Sequence, residues 1–232
     1  TQFKIYNSKF KIIFMKTAYI VKAYRTAVGK APKGVFRFKR PDELAAETIE
    51  HMMAQLPNFD KTRIDDVMVG NAMPEAEQGL NIGRLISLMG LKVTDVPGVT
   101  VNRYCASGLE TIGMATAKIQ SGMAHCIIAG GAESMSYIPM GGYKPTPDYK
   151  VAAAGNEDYY WGMGLTAEAV AKQFNISRED QDKFAYESHM KALKAQAEGK
   201  FDSQIVPINI EQTFVNENGK KETKSYVVNK DE

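Results

Sequence analysis

Strand-like and helix-like segments alternate through the first half of the chain, and this alternation constrains the fold more than any other feature. Short runs rich in Val, Ile and Thr are separated by stretches whose apolar residues recur at helical spacing. Such alternation indicates an α/β fold with a mainly parallel sheet and helices on both faces. The predicted strands are residues 17–21, 67–69, 96–101 and 126–129, and the predicted helices are residues 42–56, 80–89 (with Gly90 as C-terminal cap) and 109–123.

Composition places the chain among globular proteins. Of its 232 residues 44% are hydrophobic and 24% are charged, which excludes disordered and fibrous classes. The 29 basic and 27 acidic residues leave a net charge of +2, so we expect no nucleic-acid partner. No apolar run approaches the roughly 20 residues of a membrane span, so we expect no membrane association. Two cysteines, neither in a CxxC pattern, favour a reducing, cytoplasmic compartment and no metal site.

The second half has a different character. Residues 130–165 are rich in Gly and contain three Pro, and this stretch is long for a simple connection, so it is either functional or the start of a second module. A helix is predicted over 166–174, and another begins after Ser177, whose Ser-x-x-Asp pattern resembles a capping box, and ends near Gly199. A strand is predicted over 204–210, and Asn218-Gly219 predicts a hairpin turn.

The chemistry concentrates at Cys105, which the pattern V-T-V-N-R-Y-C-A-S-G-L places between a strand and a helix. The start of a helix carries partial positive charge and free N–H donors. These groups stabilise a thiolate and can also hold a developing oxyanion. The alternative is an ordinary buried cysteine, which is what most free cysteines are. Spacing alone leaves both interpretations open.

Four motifs in order resemble those of the thiolase family, the acyl-CoA acetyltransferases. They are V-N-R-Y-C-A-S-G-L around Cys105, G-G-A-E-S-M-S at 130–136, M-G-L-T-A-E at 163–168, and I-S-R-E-D-Q-D with the later Ser188-His189 pair. The resemblance covers nearly everything from Met15 to Glu232. It implies a thiolase-like fold, with an incomplete N-terminal domain over 15–135 and part of an inserted loop domain over 136–232. We interpret residues 1–14 as a non-native or disordered extension.

The resemblance also implies an activity. Thiolases use a cysteine thiolate to cleave 3-ketoacyl-CoA with coenzyme A, or to run the reverse Claisen condensation, through an acyl-cysteine intermediate. It makes Cys105 the nucleophile, with its backbone N–H in an oxyanion hole. Acyl-CoA and CoA would be substrates, with no further cofactor. The family's Gly-His-Pro, Cys-x-Gly and Asn-Glu-Ala-Phe motifs do not occur here, so we expect the C-terminal domain to be absent and this chain alone to be inactive.

The sequence gives less support for a role of the other candidate residues. Met163 and Leu165 could line the acyl pocket or could pack the loop domain, and Gly162 precedes Met163 where the family resemblance implies His in many members. Cys126 is expected in the core. The three histidines are scattered, at positions 51, 125 and 189, and His189 could face CoA or be structural.

The sequence therefore favours a degradative 3-ketoacyl-CoA thiolase, assembled as a homodimer or homotetramer at full length. A biosynthetic acetoacetyl-CoA thiolase is the close alternative. Two further alternatives are a non-catalytic acyl-CoA or lipid-binding protein on the same fold and an inactive fragment.

Overall fold

The computed structural model describes residues 16–232, so our expectation for residues 1–14 lies outside the described residues. Its helices are α1 (Pro41–Ala54), α2 (Ile82–Leu91), α3 (Ser107–Gln120), α4 (Tyr149–Val151), α5 (Met163–Phe174) and α6 (Arg178–Ala197). Its strands are β1 (Asp66–Gly70), β2 (Gly98–Val101), β3 (Ile127–Gly131), β4 (Ile208–Val215) and β5 (Lys221–Val228).

Strands β1, β2 and β3 form a parallel sheet in the order β2-β1-β3. Val67 of β1 pairs with Gly98 of β2 on one side and with Ile128 of β3 on the other. The chain passes from β1 to β2 through α2, and from β2 back across β1 to β3 through α3. Because parallel crossovers are right-handed, these two opposite steps place α2 and α3 on opposite faces of the sheet. The predicted α/β fold is confirmed.

The main core lies between the sheet and the helices α1 and α2. Every residue of β1 is buried, as expected for a central parallel strand covered on both faces. Apolar side chains from β1, α1, α2 and the flanking loops meet in one cluster. Its buried members are Ile49, Met53, Ile64, Val67, Val69, Ile82, Ile86, Leu91 and Val96. This core fixes the sheet on which the candidate site is built.

A second apolar cluster joins the N-terminal segment of residues 24–36 to the antiparallel hairpin β4–β5. Its buried members are Ala27, Phe36, Ile205, Val206, Ile208, Ile210 and Val228. Beside it, the Arg25 guanidinium donates to both oxygens of Asp231, at 2.6 and 2.9 Å. The guanidinium holds the pKa of the Asp231 carboxyl below its usual range. The predicted hairpin is confirmed, with Gly219 in the turn at φ +73°.

Helices α5 and α6 have no buried residue, and neither contributes a side chain to the two apolar clusters of the described residues. Ser177 caps α6 as predicted, since its Oγ accepts a hydrogen bond from the Asp180 N–H at 3.0 Å. None of the helices in the described part of the chain is both long enough and apolar enough to cross a membrane. The division of the chain at residue 135 stays a prediction.

Three sequence predictions were wrong in detail. Residues 17–21 form no strand: Tyr19, Ile20 and Val21 are exposed, and within residues 16–232 this segment has no neighbouring strand to pair with. Gly90 is not a cap but lies inside α2, where a Cβ would come within 2.9 Å of Ile49 Cβ on α1, so close helix packing explains it. The strand predicted over 204–210 begins only at Ile208.

Candidate active site

Cys105 lies in the turn of residues 102–106, between the end of β2 and the first residue of α3. Its side chain is exposed. The ends of β1 and β3 reach the same edge of the sheet, because the three strands are parallel. In open α/β sheets, ligands bind at this carboxyl edge. The position predicted for Cys105 from the sequence is therefore the position that the structure gives it.

The turn is tight and depends on a strained residue. Tyr104 has φ +47°, a left-handed conformation that costs a non-glycine residue roughly 1–2 kcal/mol. Two side chains hold it there. Asn102 Oδ1 accepts a hydrogen bond from the Tyr104 N–H at 2.9 Å, and Ser107 Oγ donates to the Tyr104 carbonyl at 2.6 Å. Such bonds offset the strain, and they fix where Cys105 projects.

A close approach between α3 and β1 brings the turn onto the sheet. If Gly70 carried a Cβ, that atom would lie 2.4 Å from the carbonyl carbon of Ser107 and 2.5 Å from the nitrogen of Gly108. Only glycine at this position allows the first turn of α3 to rest on β1. One turn further along, Thr111 Oγ1 donates to the Gly130 carbonyl at 3.0 Å and so ties α3 to β3.

A polar cluster supports the same edge of the sheet. The Glu133 carboxylate accepts hydrogen bonds from the Ala72 N–H and from Gln78 Nε2, both at 2.6 Å. Asn102 Nδ2 donates to the Ala72 carbonyl at 3.0 Å. The Ala72 backbone is thus held on both sides, and the cluster continues directly into the Cys105 turn. Glu133 belongs to the G-G-A-E-S-M-S motif, which gives that motif a structural reason to accompany the cysteine motif.

The electrostatics of the turn suit a nucleophilic thiol. Helix α3 has 14 residues and begins at Ser107, two positions after Cys105. Its N-terminus supplies partial positive charge within two residues of Cys105. Among the hydrogen bonds of residues 16–232, the Cys105 N–H is not a donor. A thiolate here would have electrostatic support, and an oxygen atom bearing negative charge would have a backbone donor to bind.

Cys126 occupies a different environment. It directly precedes β3 and packs, partly buried, against the main core. Burial raises the pKa of its thiol, and the nearby Asp65 carboxylate raises it further. Asp65 itself is held by the N–H groups of His125 and Cys126, which lower the pKa of its carboxyl. These features are typical of a structural cysteine, as the sequence predicted.

The remaining predicted site residues lie apart from Cys105. Met163 and Leu165 are both exposed near the start of α5, and in the described part of the chain no hydrogen bond or apolar cluster connects them to the turn. Their role in an acyl pocket stays a prediction. His51 contacts the Tyr24 ring edge-on, and His189 is exposed on α6. Within residues 16–232, no group of three His, Cys, Asp or Glu side chains could hold a metal ion.

Sequence reasoning missed the residues that shape the turn. Ser107 and Asn102 stand inside the V-N-R-Y-C-A-S-G-L motif, yet neither was assigned a role. Their residue types could have indicated this role, since Asn and Ser side chains often form hydrogen bonds to nearby backbone groups in turns. Glu133 and Gln78 could not be paired from the sequence, because they are 55 residues apart.

Comparisons with known proteins show which proteins this chain resembles. A family model described as "Thiolase, N-terminal domain" matches residues 18–232. A 3-ketoacyl-CoA thiolase of Bacillus subtilis (strain 168) is 48% identical over 219 residues, which are 94% of this chain and 55% of that protein. A beta-ketoadipyl-CoA thiolase of Acinetobacter baylyi is 40% identical over 213 residues, with 85% of this chain and 53% of that protein covered.

A solved structure of similar fold also matches this chain. The crystal structure of the Bacillus anthracis acetyl-CoA acetyltransferase superposes with a TM-score of 0.73 at 29% sequence identity. The match covers 94% of this chain and 55% of that one. The chain thus spans about half the length of the curated relatives it matches.

Proposed function

The chain belongs to the thiolase family, and we propose that the protein is an acyltransferase that cleaves a 3-ketoacyl-CoA with coenzyme A. The observation that carries this proposal is the exposed Cys105 in a strained turn at the N-terminus of α3, on the carboxyl edge of a parallel sheet. The 48% identity to a 3-ketoacyl-CoA thiolase supports the substrate class.

In the proposed reaction, the Cys105 thiolate attacks the 3-keto carbon of the substrate. The carbonyl oxygen takes the negative charge, and the Cys105 N–H donates a hydrogen bond to it. When the carbonyl re-forms, the bond between the α- and β-carbons breaks. The departing carbanion takes a proton and leaves as acetyl-CoA, while the acyl group remains on sulfur as a thioester.

The second half-reaction returns the enzyme to its starting state. The thiol of coenzyme A loses its proton to a base and attacks the thioester, the acyl group passes to CoA, and the Cys105 thiolate leaves. The family resemblance assigns proton transfer to a histidine and a second cysteine in motifs that this sequence does not contain. Helix α3 stabilises the thiolate both as attacking and as leaving group.

The direction of the reaction has a close competitor. A biosynthetic acetoacetyl-CoA thiolase would run the same steps in reverse, and the similarity to an acetyl-CoA acetyltransferase structure favours that candidate. Relative rates of thiolysis and condensation, measured with acetoacetyl-CoA and with acetyl-CoA, separate the two. A non-catalytic acyl-CoA-binding protein is disfavoured, because a pure binder needs no exposed thiol in a strained turn.

The remaining parts of the proposal concern assembly and substrate contacts. Acyl-CoA and CoA are the proposed small-molecule partners, without a further cofactor, and the proposed assembly is a homodimer or homotetramer in the cytoplasm. Met163 and Leu165, both exposed on α5, are the proposed contacts for the acyl chain. Size-exclusion chromatography with light scattering tests the assembly, and the chain-length dependence of KM in Met163→Ala and Leu165→Ala tests the contacts.

The decisive test of the function is an activity assay of the full-length protein. Cys105→Ala is expected to abolish the loss of 3-ketoacyl-CoA absorbance in the presence of CoA, because no acyl-cysteine can form. Cys126→Ala is the matched control and is expected to retain activity. If Cys105→Ala keeps measurable turnover, the proposed function is wrong.

A further inference from the structure

The peptide group between Tyr104 and Cys105 is held in one orientation by Ser107. The Tyr104 carbonyl accepts two hydrogen bonds from this residue, one from Oγ at 2.6 Å and one from the backbone N–H at 3.0 Å. A peptide group is planar, and in its usual trans form the C=O and N–H point in opposite directions. Fixing the Tyr104 carbonyl toward α3 therefore fixes the Cys105 N–H away from α3.

Ser107 is itself rigid, which makes it suited to this task. Only 4% of its surface is exposed, and it is the first residue of α3, packed against β1 at Gly70. Its Oγ also accepts a hydrogen bond from the Arg103 N–H at 2.8 Å. One buried hydroxyl thus bridges two backbone groups ahead of Cys105, and these two hydrogen bonds together favour one rotamer of the Ser107 side chain.

Asn102 completes the arrangement from the other side of the turn. Its Oδ1 accepts from the Tyr104 N–H at 2.9 Å, while its Nδ2 is anchored to the Ala72 carbonyl. Both backbone groups of Tyr104 are consequently bound by side chains. Both bonds are made with Tyr104 in the left-handed conformation.

We propose that Ser107 is a positioning residue for acyl transfer, which orients and polarises the Cys105 N–H as an oxyanion donor. This inference rests on the proposed function. Hydrogen bonds to the carbonyl of a peptide group strengthen the N–H of the same group as a donor, because bonded dipoles polarise one another. A donor aimed before the reaction begins needs no reorganisation when charge develops on the oxygen.

The test separates two reactions of the same sulfur. Acetylation of Cys105 by acetyl-CoA develops negative charge on a carbonyl oxygen and needs the donor. Alkylation by iodoacetamide displaces iodide at carbon, develops no oxyanion and does not need it. Both rates are measured at one pH, in the protein of natural length, by mass spectrometry of the Cys105 peptide.

Ser107→Ala is expected to slow acetylation by at least about 10-fold while alkylation changes by less than about 2-fold; outright loss of an oxyanion donor costs about 10²–10³. The matched control is Thr111→Val, which removes another buried hydroxyl of α3 that bonds to two backbone carbonyls, those of Gly108 and Gly130. Thr111→Val is expected to lower the melting temperature about as much as Ser107→Ala does. It is expected to leave the ratio of the acetylation rate to the alkylation rate unchanged.

Each outcome either supports the proposal or overturns it. Equal slowing of acetylation and alkylation by Ser107→Ala would show a merely structural role and overturn the proposal, as would no slowing of acetylation. If Ser107→Ala does not fold, Asn102→Ala takes its place, because this exposed side chain also fixes Tyr104; an unchanged ratio overturns the proposal. If the unsubstituted protein is alkylated at Cys105 but never acetylated, the proposed function fails and this role fails with it.

Discussion

Replacing Gly70 with alanine tests the contact that places the Cys105 turn on the sheet. The new Cβ would lie 2.4 Å from the Ser107 carbonyl carbon and 2.5 Å from the Gly108 nitrogen, and these backbone atoms cannot swing aside as the end of a flexible side chain can. Helix α3 must therefore shift away from β1. Overpacking of this kind costs about 3 kcal/mol. For a domain of this size, that lowers the melting temperature by about 6–12 °C.

The assay is thermal unfolding followed by circular dichroism, combined with iodoacetamide labelling of Cys105. The matched control is Gly130→Ala on the neighbouring strand β3, where an added Cβ meets nothing within 4 Å in the described part of the chain. That variant is expected to keep or slightly raise the melting temperature, because alanine restricts the unfolded chain more than glycine does. A Gly70→Ala protein that melts within about 2 °C of the unsubstituted protein would refute the close approach of α3 to β1.

Iodoacetamide is expected to label Cys105 at least about 10-fold faster than Cys126, because Cys105 is exposed at a helix N-terminus whereas burial raises the pKa of the Cys126 thiol; equal labelling of the two peptides would contradict this. Asp231→Asn is expected to cost about 1–2 kcal/mol of unfolding free energy at pH 7. Arg25 lowers the pKa of the Asp231 carboxyl in the folded protein, so the stabilisation by this ion pair is present above the unfolded pKa of about 3.9. It is lost as pH falls through the lower folded pKa, so the unfolding free energies of the two proteins, measured by urea titration, should approach each other as pH is lowered below about 4. Ser177→Ala is expected to speed amide exchange in the first turn of α6 about 5-fold, the equivalent of about 1 kcal/mol, while exchange in β1 stays unchanged.

Periodicity predicted those parts of the fold whose structure depends on neighbours in sequence. The strand β1 was placed correctly, because its apolar run reflects burial that the sheet provides. Helix α3 was placed correctly from the helical spacing of its apolar residues, although Leu109 and Ile112 are exposed. The buried residues of α3 are Ser107, Thr111 and Ala115. Residues 17–21 have the same strand-like composition but no partner among residues 16–232, and composition alone does not supply one. Gly90 was misassigned for a related reason, since its contact is with Ile49, 41 positions earlier, and sequence shows no sign of that contact.

The candidate site divides in the same way. The sequence predicted the position of Cys105 and its relation to a helix start, because both follow from local strand-turn-helix order. It did not predict that Ser107 and Asn102 hold Tyr104 in a left-handed conformation, since φ angles of single turn residues are not readable from residue type. Nor did it predict that Glu133 supports the loop next to the turn, because that contact joins two different strand ends.

The ion pair between Arg25 and Asp231 has a consequence for biosynthesis. The two residues are 206 positions apart, and the apolar cluster beside them likewise joins residues 27 and 36 to residues 205–228. At translation rates of about 5–20 residues per second, Arg25 waits about 10–40 s for its partner to be made. During that interval Ala27 and Phe36 lack the apolar partners that residues 205–228 supply, whereas the sheet β1–β3 can already form. We therefore expect the nascent chain to bind chaperones through its N-terminal segment until the ribosome has passed the hairpin β4–β5.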